Sequence, residues 1–294
     1  MKRAFVVLLL VLLGTATALS QQAPAAKEEP KPAATAAGGG DLENLFVETG
    51  AGVMMPDGED PTSLYYAAIN YGLAASPEWG VGAQIGGKGT LRNDDPDWLA
   101  QAGLFQRNLD FGMGKGAWSL QGVSQNTWMH ADLISLKPTV GVELDKANYL
   151  ALTGLWGLND ETVKRSGGKV VQQPVDTAML LWGATWMDSI RTEVGGGYEF
   201  QDVDTTILGL HAGYAFDKMT SLNLTGAADF RGNYYVALAL GFDLGDNGRN
   251  ATFNNITTEG GNDYTPFPLG SLPIMFYETQ IEEAPAPVVI PEPE

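Results

Sequence analysis

The chain has 294 residues, enough for one large domain with extensions, and it contains no cysteine, which excludes disulfides and thiolate metal sites. Its 17 basic and 35 acidic residues give a formal net charge of −18. This excess of acid argues against nucleic acid as a partner, because phosphate binding needs clustered Lys and Arg.

The N-terminus has the pattern of a secretory signal peptide. Lys2 and Arg3 precede an apolar run over residues 4–13, and small residues follow at Ala16 and Ala18. The run is too short to cross a bilayer of about 30 Å as a helix. We therefore predict an exported protein whose leader is cleaved near residue 20.

Beyond residue 40, apolar residues alternate with small or polar ones, and a period of two indicates β-strands. The pattern predicts twelve strands, although ten or fourteen remain compatible with it. The predicted strands cover residues 45–53, 63–74, 79–86, 98–109, 117–128, 133–144, 150–158, 180–186, 190–201, 205–217, 221–230 and 234–244. Pro138 falls inside the sixth of them, which predicts either a bulge or a later start to that strand.

The two faces of the predicted strands differ in chemistry. In the last strand, Leu238 and Leu240 share a continuously apolar face, whereas Ala239 and Gly241 lie on a small and polar one. A soluble sandwich would also alternate, but its outer face should be rich in Lys, Glu and Thr. The pattern therefore favours an all-β fold, an antiparallel up-and-down transmembrane β-barrel that is apolar toward lipid and polar toward a lumen.

Several aromatic residues on the apolar face of the predicted strands lie near strand ends. Amphipathic aromatic rings are enriched there, at the level of the lipid headgroups. The predicted membrane-interface aromatics are Trp79, Trp118, Trp128, Trp156, Trp182, Trp186, Tyr198 and Tyr234.

The connections predict the orientation of the barrel. Those after even-numbered strands are short and most of those after odd-numbered strands are longer, as expected for periplasmic turns opposite outer loops. Two predicted outer loops are acidic. They contain Asp57, Glu59 and Asp60, and then Asp94, Asp95 and Asp97. Their spacing matches no EF-hand, so we predict no specific metal site, and loose bridging of Ca²⁺ or Mg²⁺ to lipid headgroups is the expected role.

Together the strand rhythm, the Trp and Tyr girdle and the signal peptide resemble the bacterial outer-membrane β-barrel superfamily over residues 42–244. The resemblance implies a Gram-negative outer membrane, a surround of membrane lipid and assembly by the barrel-insertion machinery. Barrels of this class often end on a terminal aromatic that this machinery reads, but here Phe242 is followed by a long tail.

The predicted organisation is a signal peptide (1–20), an Ala/Pro/Gly-rich linker (21–40), the barrel (41–245) and a polar, then Pro-rich acidic tail (246–294). We predict a periplasmic tail. It is either disordered or docked through residues 272–281 onto the barrel rim or a partner.

Ionisable residues on the polar phase are the candidates for the lumen, and acids outnumber bases among them. These candidates are Glu48, Lys88, Lys137, Glu143, Arg191, Glu193, Glu199, His211, Asp229 and Asp243. The position of Arg107 is left undecided, because the predicted fourth strand alternates poorly. The resulting prediction is a passive porin-like channel for small hydrophilic solutes or ions with a modest cation preference. The alternative is a structural or anchoring protein with a blocked lumen, whose tails bind periplasmic partners.

Neither histidine of the chain, His130 or His211, lies in a recognisable catalytic motif. An outer-membrane hydrolase would need a lipid-accessible serine with a histidine within hydrogen-bonding distance. The sequence therefore predicts no enzyme, no catalytic residue and no cofactor.

Overall fold

The computed structural model describes residues 45–55, 61–76, 81–92, 95–112, 114–127, 130–145, 147–165, 168–187, 189–200, 205–217, 219–244 and 277–282. Its strands are β1 (Leu45–Met55), β2 (Thr62–Ser76), β3 (Val81–Arg92), β4 (Asp95–Asp110), β5 (Lys115–Asn126), β6 (Asp132–Glu143), β7 (Asn148–Gly157), β8 (Glu161–Arg165), β9 (Gly168–Pro174), β10 (Thr177–Trp186), β11 (Ile190–Glu199), β12 (Thr205–Ala215), β13 (Thr220–Asp229), β14 (Tyr234–Asp243) and β15 (Tyr277–Glu282). No helix in this described part of the chain has the length and apolarity needed to cross a membrane.

Twelve of the strands close into one antiparallel barrel. Its order follows the chain from β1 to β7 and from β10 to β14, with β7 hydrogen-bonded directly to β10. The ring closes between β1 and β14, from Phe46 opposite Asp243 to Met55 opposite Tyr234. The prediction of an all-β, twelve-stranded up-and-down barrel is confirmed, and each barrel strand pairs on both sides.

We name the two ends of the barrel by their connections. The chain enters the barrel at Leu45 and leaves it at Leu244 on the same end, where the Leu244 amide donates to the Leu45 carbonyl at 2.9 Å. This end is the short-turn rim, where β2 ends and β3 begins, and likewise β4 and β5, β6 and β7, β10 and β11, and β12 and β13. The opposite end is the long-loop rim, where β1 ends and β2 begins, and likewise β3 and β4, β5 and β6, β7 and β10, β11 and β12, and β13 and β14.

One acidic loop predicted at the long-loop rim is mostly strand. β3 continues to Arg92, β4 begins at Asp95, and Leu91 pairs with Pro96 across them. Asp97 is consequently a buried residue of β4 and not part of a solvated loop. The other acidic loop, residues 57–60, lies outside the described residues, as does residue 94.

Pro138 lies inside β6, and the prediction of a bulge or a later strand start is wrong. The register of β6 with β7 is the same on both sides of the proline, with Leu136 opposite Trp156 and Thr139 opposite Thr153. No pairs form between these two positions, because proline has no N–H to donate to the ladder. β6 therefore accommodates Pro138 by losing its pairs with β7 at this point.

The barrel wall exposes its apolar face outward. In β14, Val236 and Leu238 are each 51% exposed, whereas Ala237 and Ala239 between and beside them are each 2% exposed. The same alternation leaves large apolar side chains exposed all around the ring. They include Val53, Tyr65, Ile69, Ile85, Leu104, Leu120, Ile134, Leu180, Val194, Leu208, Leu210 and Leu240. A continuous belt of this kind is the surface of a barrel embedded in lipid, since soluble proteins rarely expose such large apolar patches.

The connection between β7 and β10, expected to be a single long loop, contains the hairpin of β8 and β9. The hairpin packs on the inner side of the long-loop rim, where Gln172 is fully buried and hydrogen-bonded to Thr127. At its base, the Gly157 amide donates to Asp176 at 2.7 Å. β15, from the C-terminal tail, adds to the hairpin as a third strand antiparallel to β9, with Thr279 opposite Gln172.

In two turns of the short-turn rim, an aspartate carboxylate accepts backbone amides of the turn. The Asp145 carboxylate accepts the backbone amides of Ala147 and Asn148 at 2.8 and 2.9 Å, and Asp217 likewise accepts the amide of Met219. These backbone donors favour the charged form and lower the pKa of Asp145 and of Asp217. Both carboxylates are fully exposed, so they order the two turns and are not part of the charged wall of the lumen.

A pair of glycines in neighbouring strands yields a test of the wall geometry. A Cβ on Gly103 would overlap the Leu120 carbonyl oxygen and lie 2.6 Å from Gln121 Cα, whereas a Cβ on Gly89 would meet nothing within 4 Å. We expect Gly103→Ala to destabilise the barrel by roughly 1–3 kcal/mol through overpacking, and Gly89→Ala to change stability by less than about 0.5 kcal/mol. The measurement is the temperature at which each variant loses its compact, SDS-resistant form. Equal temperatures for the two variants would mean that β4 and β5 are spaced differently.

Candidate functional site

The lumen is the candidate site, because the ionisable residues predicted there occupy inward positions of barrel strands. Lys137, Arg191, Glu193, Glu199, His211 and Asp243 are buried, and Glu48, Lys88, Glu143 and Asp229 are half-buried. Sequence reasoning missed Asp97, which it assigned to a loop, and left Arg107 undecided. Both are buried on the inward phase of β4, where the alternation that continues through Gln101 and Phe105 could have placed them.

The most compact charge cluster joins β7 and β11 in the half of the lumen near the short-turn rim. Tyr149 donates its hydroxyl proton to the Glu193 carboxylate, and Arg191 donates to the Tyr149 hydroxyl oxygen at 2.8 Å. The guanidinium of Arg191 lies 3.7 Å from the Glu193 carboxylate and 5.3 Å from the centre of the Tyr149 ring. All three side chains are at most 5% exposed, so the cluster is a buried ion pair bridged by a phenol.

A glycine makes this cluster possible. β10 lies between β7 and β11, with Gly183 opposite Tyr149 on one side and opposite Glu193 on the other. A Cβ on Gly183 would collide with the Tyr149 ring and lie 2.6 Å from its hydroxyl oxygen. The absence of a side chain at Gly183 therefore lets the tyrosine lie across β10 and reach Glu193.

A second cluster uses the same arrangement across β14. Asn223 of β13 donates to Glu48 of β1 at 2.8 Å and to Ser221 at 3.3 Å. The strand between them contributes Gly241, where a Cβ would lie 2.6 Å from Ser221 Oγ and 2.9 Å from Asn223 Nδ2. Glycine on the inward face thus lets polar side chains of next-but-one strands meet.

Neighbouring inward positions join the two clusters. His211 of β12 is opposite Glu193 of β11 and opposite Thr225 of β13, with which it shares a hydrogen bond of 3.2 Å. Thr225 lies on the same inward face of β13 as Asn223, which donates to Glu48. The inward polar residues are therefore continuous from β11 to β1.

The half of the lumen near the long-loop rim carries many apolar residues among polar ones, which differs from the prediction of a polar lumen throughout. Inward positions there carry large buried side chains, among them Met54, Leu64, Leu99, Val123, Leu133, Leu155, Met179, Ile207 and Tyr235. Leu99, Val123 and Leu155 form one cluster, and Met54, Leu64 and Tyr235 belong to another. These apolar side chains lie beside inward charges of the same half, such as Asp97 and Glu199, so the lumen wall there is mixed.

The predicted interface aromatics are distributed over the outer face. Trp182, Trp186 and Tyr198 are exposed, and Trp118, Trp156 and Tyr234 are half-buried. Trp79 and Trp128 lie outside the described residues. Trp98, which the prediction omitted, is 46% exposed on the outward face of β4.

No group of three or more His, Asp or Glu side chains in the described ranges is arranged to hold a metal ion. Of the two histidines, His130 is exposed at the long-loop rim with a φ of 63°, and His211 is buried in the lumen beside Thr225. They lie in separate parts of the barrel, so the structure does not bring them together.

No protein-family model matches the chain, and no curated protein matches it. Among solved structures, the KdgM porin is similar at 6% sequence identity and a TM-score of 0.47, with coverage of 67% of this chain and 98% of the porin. An outer membrane channel of Pseudomonas putida F1 is similar at 11% identity and a TM-score of 0.48, covering 69% and 98%. The outer membrane protein Omp33 of Acinetobacter baumannii follows at 8% identity and a TM-score of 0.38, covering 69% and 99%.

At such identities these likenesses concern the fold alone. The fold follows from this chain's own closed ring of twelve antiparallel strands and its outward apolar belt. The chain is therefore a closed, antiparallel, twelve-stranded β-barrel with an apolar outer face.

Proposed function

We propose that the protein is an outer-membrane channel for small hydrophilic solutes or ions, narrow enough that its charged lumen wall selects among them. The observation that supports this most is the run of inward polar and charged residues that extends over a third of the ring, from Glu48 on β1 to Glu193 on β11. Burying charges costs free energy. A barrel with a purely mechanical role would not need them.

The lumen charge further supports a modest preference for cations. Carboxylates outnumber cationic side chains among the inward residues of the described strands, and rings of carboxylates select for cations. The pairing of Arg191 with Glu193 cancels part of this field. The preference should therefore be small, and it should weaken at 1 M salt, where the Debye length is about 3 Å.

The test is the reversal potential of the purified barrel in a planar bilayer under a KCl gradient. We expect wild type to favour K⁺, Glu143→Gln combined with Glu199→Gln to reduce this preference, and Lys88→Gln to increase it. Lys88→Gln is the matched control, because it removes a positive charge from the lumen, whereas the double variant removes negative charges. An anion preference in wild type would show that the assignment of lumen charges is wrong.

The second candidate function is a structural or anchoring barrel with a filled lumen. The burial of two inward side chains favours this function. Arg191 and Glu199 are each 1% exposed, although residues that line an open barrel of twelve strands would contact water. The same recording separates the two functions. Absence of conductance steps at any voltage would favour the anchoring function, with the tails contacting periplasmic partners.

The expected surroundings follow from the outer-membrane fold. The short-turn rim would face the periplasm and the long-loop rim the outside, since barrels of this class have short periplasmic turns. Membrane lipid would contact the apolar belt, and the barrel-insertion machinery would assemble the ring. Ca²⁺ or Mg²⁺ would bridge acidic residues of the long-loop rim to lipid headgroups only loosely.

A further inference from the structure

Three neighbouring strands of the wall each place one unpaired polar atom on the lumen side. The atoms are Glu193 Oε1 on β11, His211 Nε2 on β12 and Asn223 Oδ1 on β13, and none has a hydrogen-bond partner within the part of the chain that the structure describes. The three side chains are at most 4% exposed. We call these atoms the acceptor row, because both oxygens only accept hydrogen bonds and the imidazole nitrogen accepts when Nδ1 carries the proton.

The register of the strands brings the acceptor row together. Glu193 is directly opposite His211, which places their Cβ atoms about 5 Å apart. His211 is opposite Thr225, and Asn223 is its diagonal neighbour on the same inward face, roughly 7–8 Å away. The row is therefore about 12 Å long. A single metal ion holds its ligands at about 2.0–2.6 Å, so the row has the dimensions of a small organic solute and not of one ion.

One end of each side chain in the acceptor row is fixed by the wall, which leaves the other end to face the lumen. Tyr149 donates its hydroxyl proton to Glu193 Oε2. His211 Nδ1 shares its hydrogen bond of 3.2 Å with Thr225. The Nδ2 of Asn223 donates two hydrogen bonds, at 2.8 and 3.3 Å. The unpaired atoms therefore belong to side chains that are already held in place.

Glycine leaves room beside the middle of the row. The inward neighbours of His211 along β12 are Gly209 and Gly213. No side chain of β12 therefore stands next to the imidazole on the lumen side, and a solute can lie against the backbone of this strand.

The unpaired atoms themselves point to a ligand. Leaving a buried polar atom without a partner costs free energy, so native proteins pair nearly all of them. Three such atoms at adjoining positions of one wall share a single missing feature, which is a donor on the lumen side. A bound molecule that donates several hydrogen bonds would supply it.

The charges around the acceptor row favour a neutral donor. The carboxylate of Glu193 already faces the guanidinium of Arg191 at 3.7 Å, so a cation in the row would lie beside a like charge. An anion would face acceptors only. A hydroxyl group donates a hydrogen bond without carrying a charge, and sugars and polyols present several hydroxyl groups along one molecule.

We propose that the acceptor row is a binding site for a neutral solute with several hydroxyl groups, a sugar or polyol, which donates hydrogen bonds to Glu193, His211 and Asn223. The inference rests on the proposed channel function and deepens it, because it names the class of solute and the three strands that bind it. The solute lies along β11 to β13, on the half of the wall near the short-turn rim.

The first test compares three sugars of one ring size that differ in charge. The full chain is placed in lipid nanodiscs, and saturation-transfer NMR measures binding of glucose, of cationic glucosamine and of anionic glucuronate, with empty nanodiscs as the blank. We expect at least threefold stronger transfer to glucose than to either charged sugar. Stronger transfer to a charged sugar would overturn the neutral class. No transfer to glucose would mean that the row holds buried water only and would overturn the site.

The second test uses a matched pair of variants. Asn223→Leu and Gln125→Leu each replace a buried inward amide with leucine, on strands β13 and β5 that are six steps apart in either direction around the ring. We expect Asn223→Leu to lower the glucose signal at least threefold and Gln125→Leu to leave it unchanged. Equal signals from the two variants would overturn the assignment of the site to β11–β13.

Two further controls separate this inference from folding and from conduction. Heat-modifiable migration in SDS gels shows that each variant is folded, and His211→Phe, which removes Nε2, takes the place of Asn223→Leu if the latter does not fold. Binding needs no conductance to be measured. Glucose binding by a barrel that shows no conductance steps would support the site and overturn the channel function, whereas conductance without glucose binding would overturn the site alone.

Discussion

Arg191→Met should destabilise the barrel by roughly 3–5 kcal/mol, the largest effect that we expect from a single substitution. The change removes the cation that faces Glu193 and donates to Tyr149, and it leaves a carboxylate buried at 2% exposure without its ion pair. The measurement is urea-induced unfolding of the barrel in lipid vesicles, followed by tryptophan fluorescence.

The matched control for Arg191→Met is the double variant that also carries Glu193→Gln. It removes both charges and keeps a side-chain oxygen that accepts the Tyr149 hydroxyl proton, so we expect it to regain most of the lost stability, since removing a whole buried ion pair is often nearly neutral. A double variant as unstable as the single one would show that Arg191 stabilises the barrel through contacts other than this pair.

Leu238→Arg should destabilise the barrel by about 2–4 kcal/mol, the cost of an arginine facing lipid near the membrane midplane. Leu238 is central in β14 and 51% exposed on the outer face. Assembly in the outer membrane, measured as the fraction of protein with heat-modifiable migration, should fall accordingly.

Ala239→Ser, one residue further along β14, is the control for Leu238→Arg. Ala239 faces inward at 2% exposure and pairs with Asn223 on one side and Gly50 on the other, so a hydroxyl has polar neighbours. We expect normal assembly of this variant. Equal assembly of both variants would mean that the outer face of β14 does not contact lipid.

The sequence was sufficient to predict the barrel because its alternation is local. In β14 the inward residues from Ala237 to Gly241 are small and the outward residues are large, so the period of two alone determines the faces. The predicted strand boundaries were less accurate where a strand extends into a run of polar residues. Residues 92–97 contain turn-forming residues, yet the pairing of Leu91 with Pro96 extends both strands.

Contacts between distant parts of the chain could not be predicted. Nothing in the local pattern indicates that Gly183 lets Tyr149 reach Glu193, because that contact depends on the register of β7, β10 and β11. The sequence offered docking of residues 272–281 onto the barrel rim but not the strand β15, since that strand forms by pairing with β9 and not by alternation of its own. Buried apolar residues of the lumen, such as Leu64 and Ile207, were missed because they break the assumed polarity of the inward face.

The measurement that tests the account most directly is lipid quenching along β14. A small fluorophore would be attached in turn to single cysteines at residues 236, 237, 238, 239 and 240 of the otherwise cysteine-free chain, and the protein would be reconstituted in lipids that carry a quencher in their acyl chains. The structure predicts strong quenching at residues 236, 238 and 240 and little at residues 237 and 239, in step with their exposed and buried positions. Quenching that does not alternate would contradict a lipid-facing outer wall around an enclosed lumen.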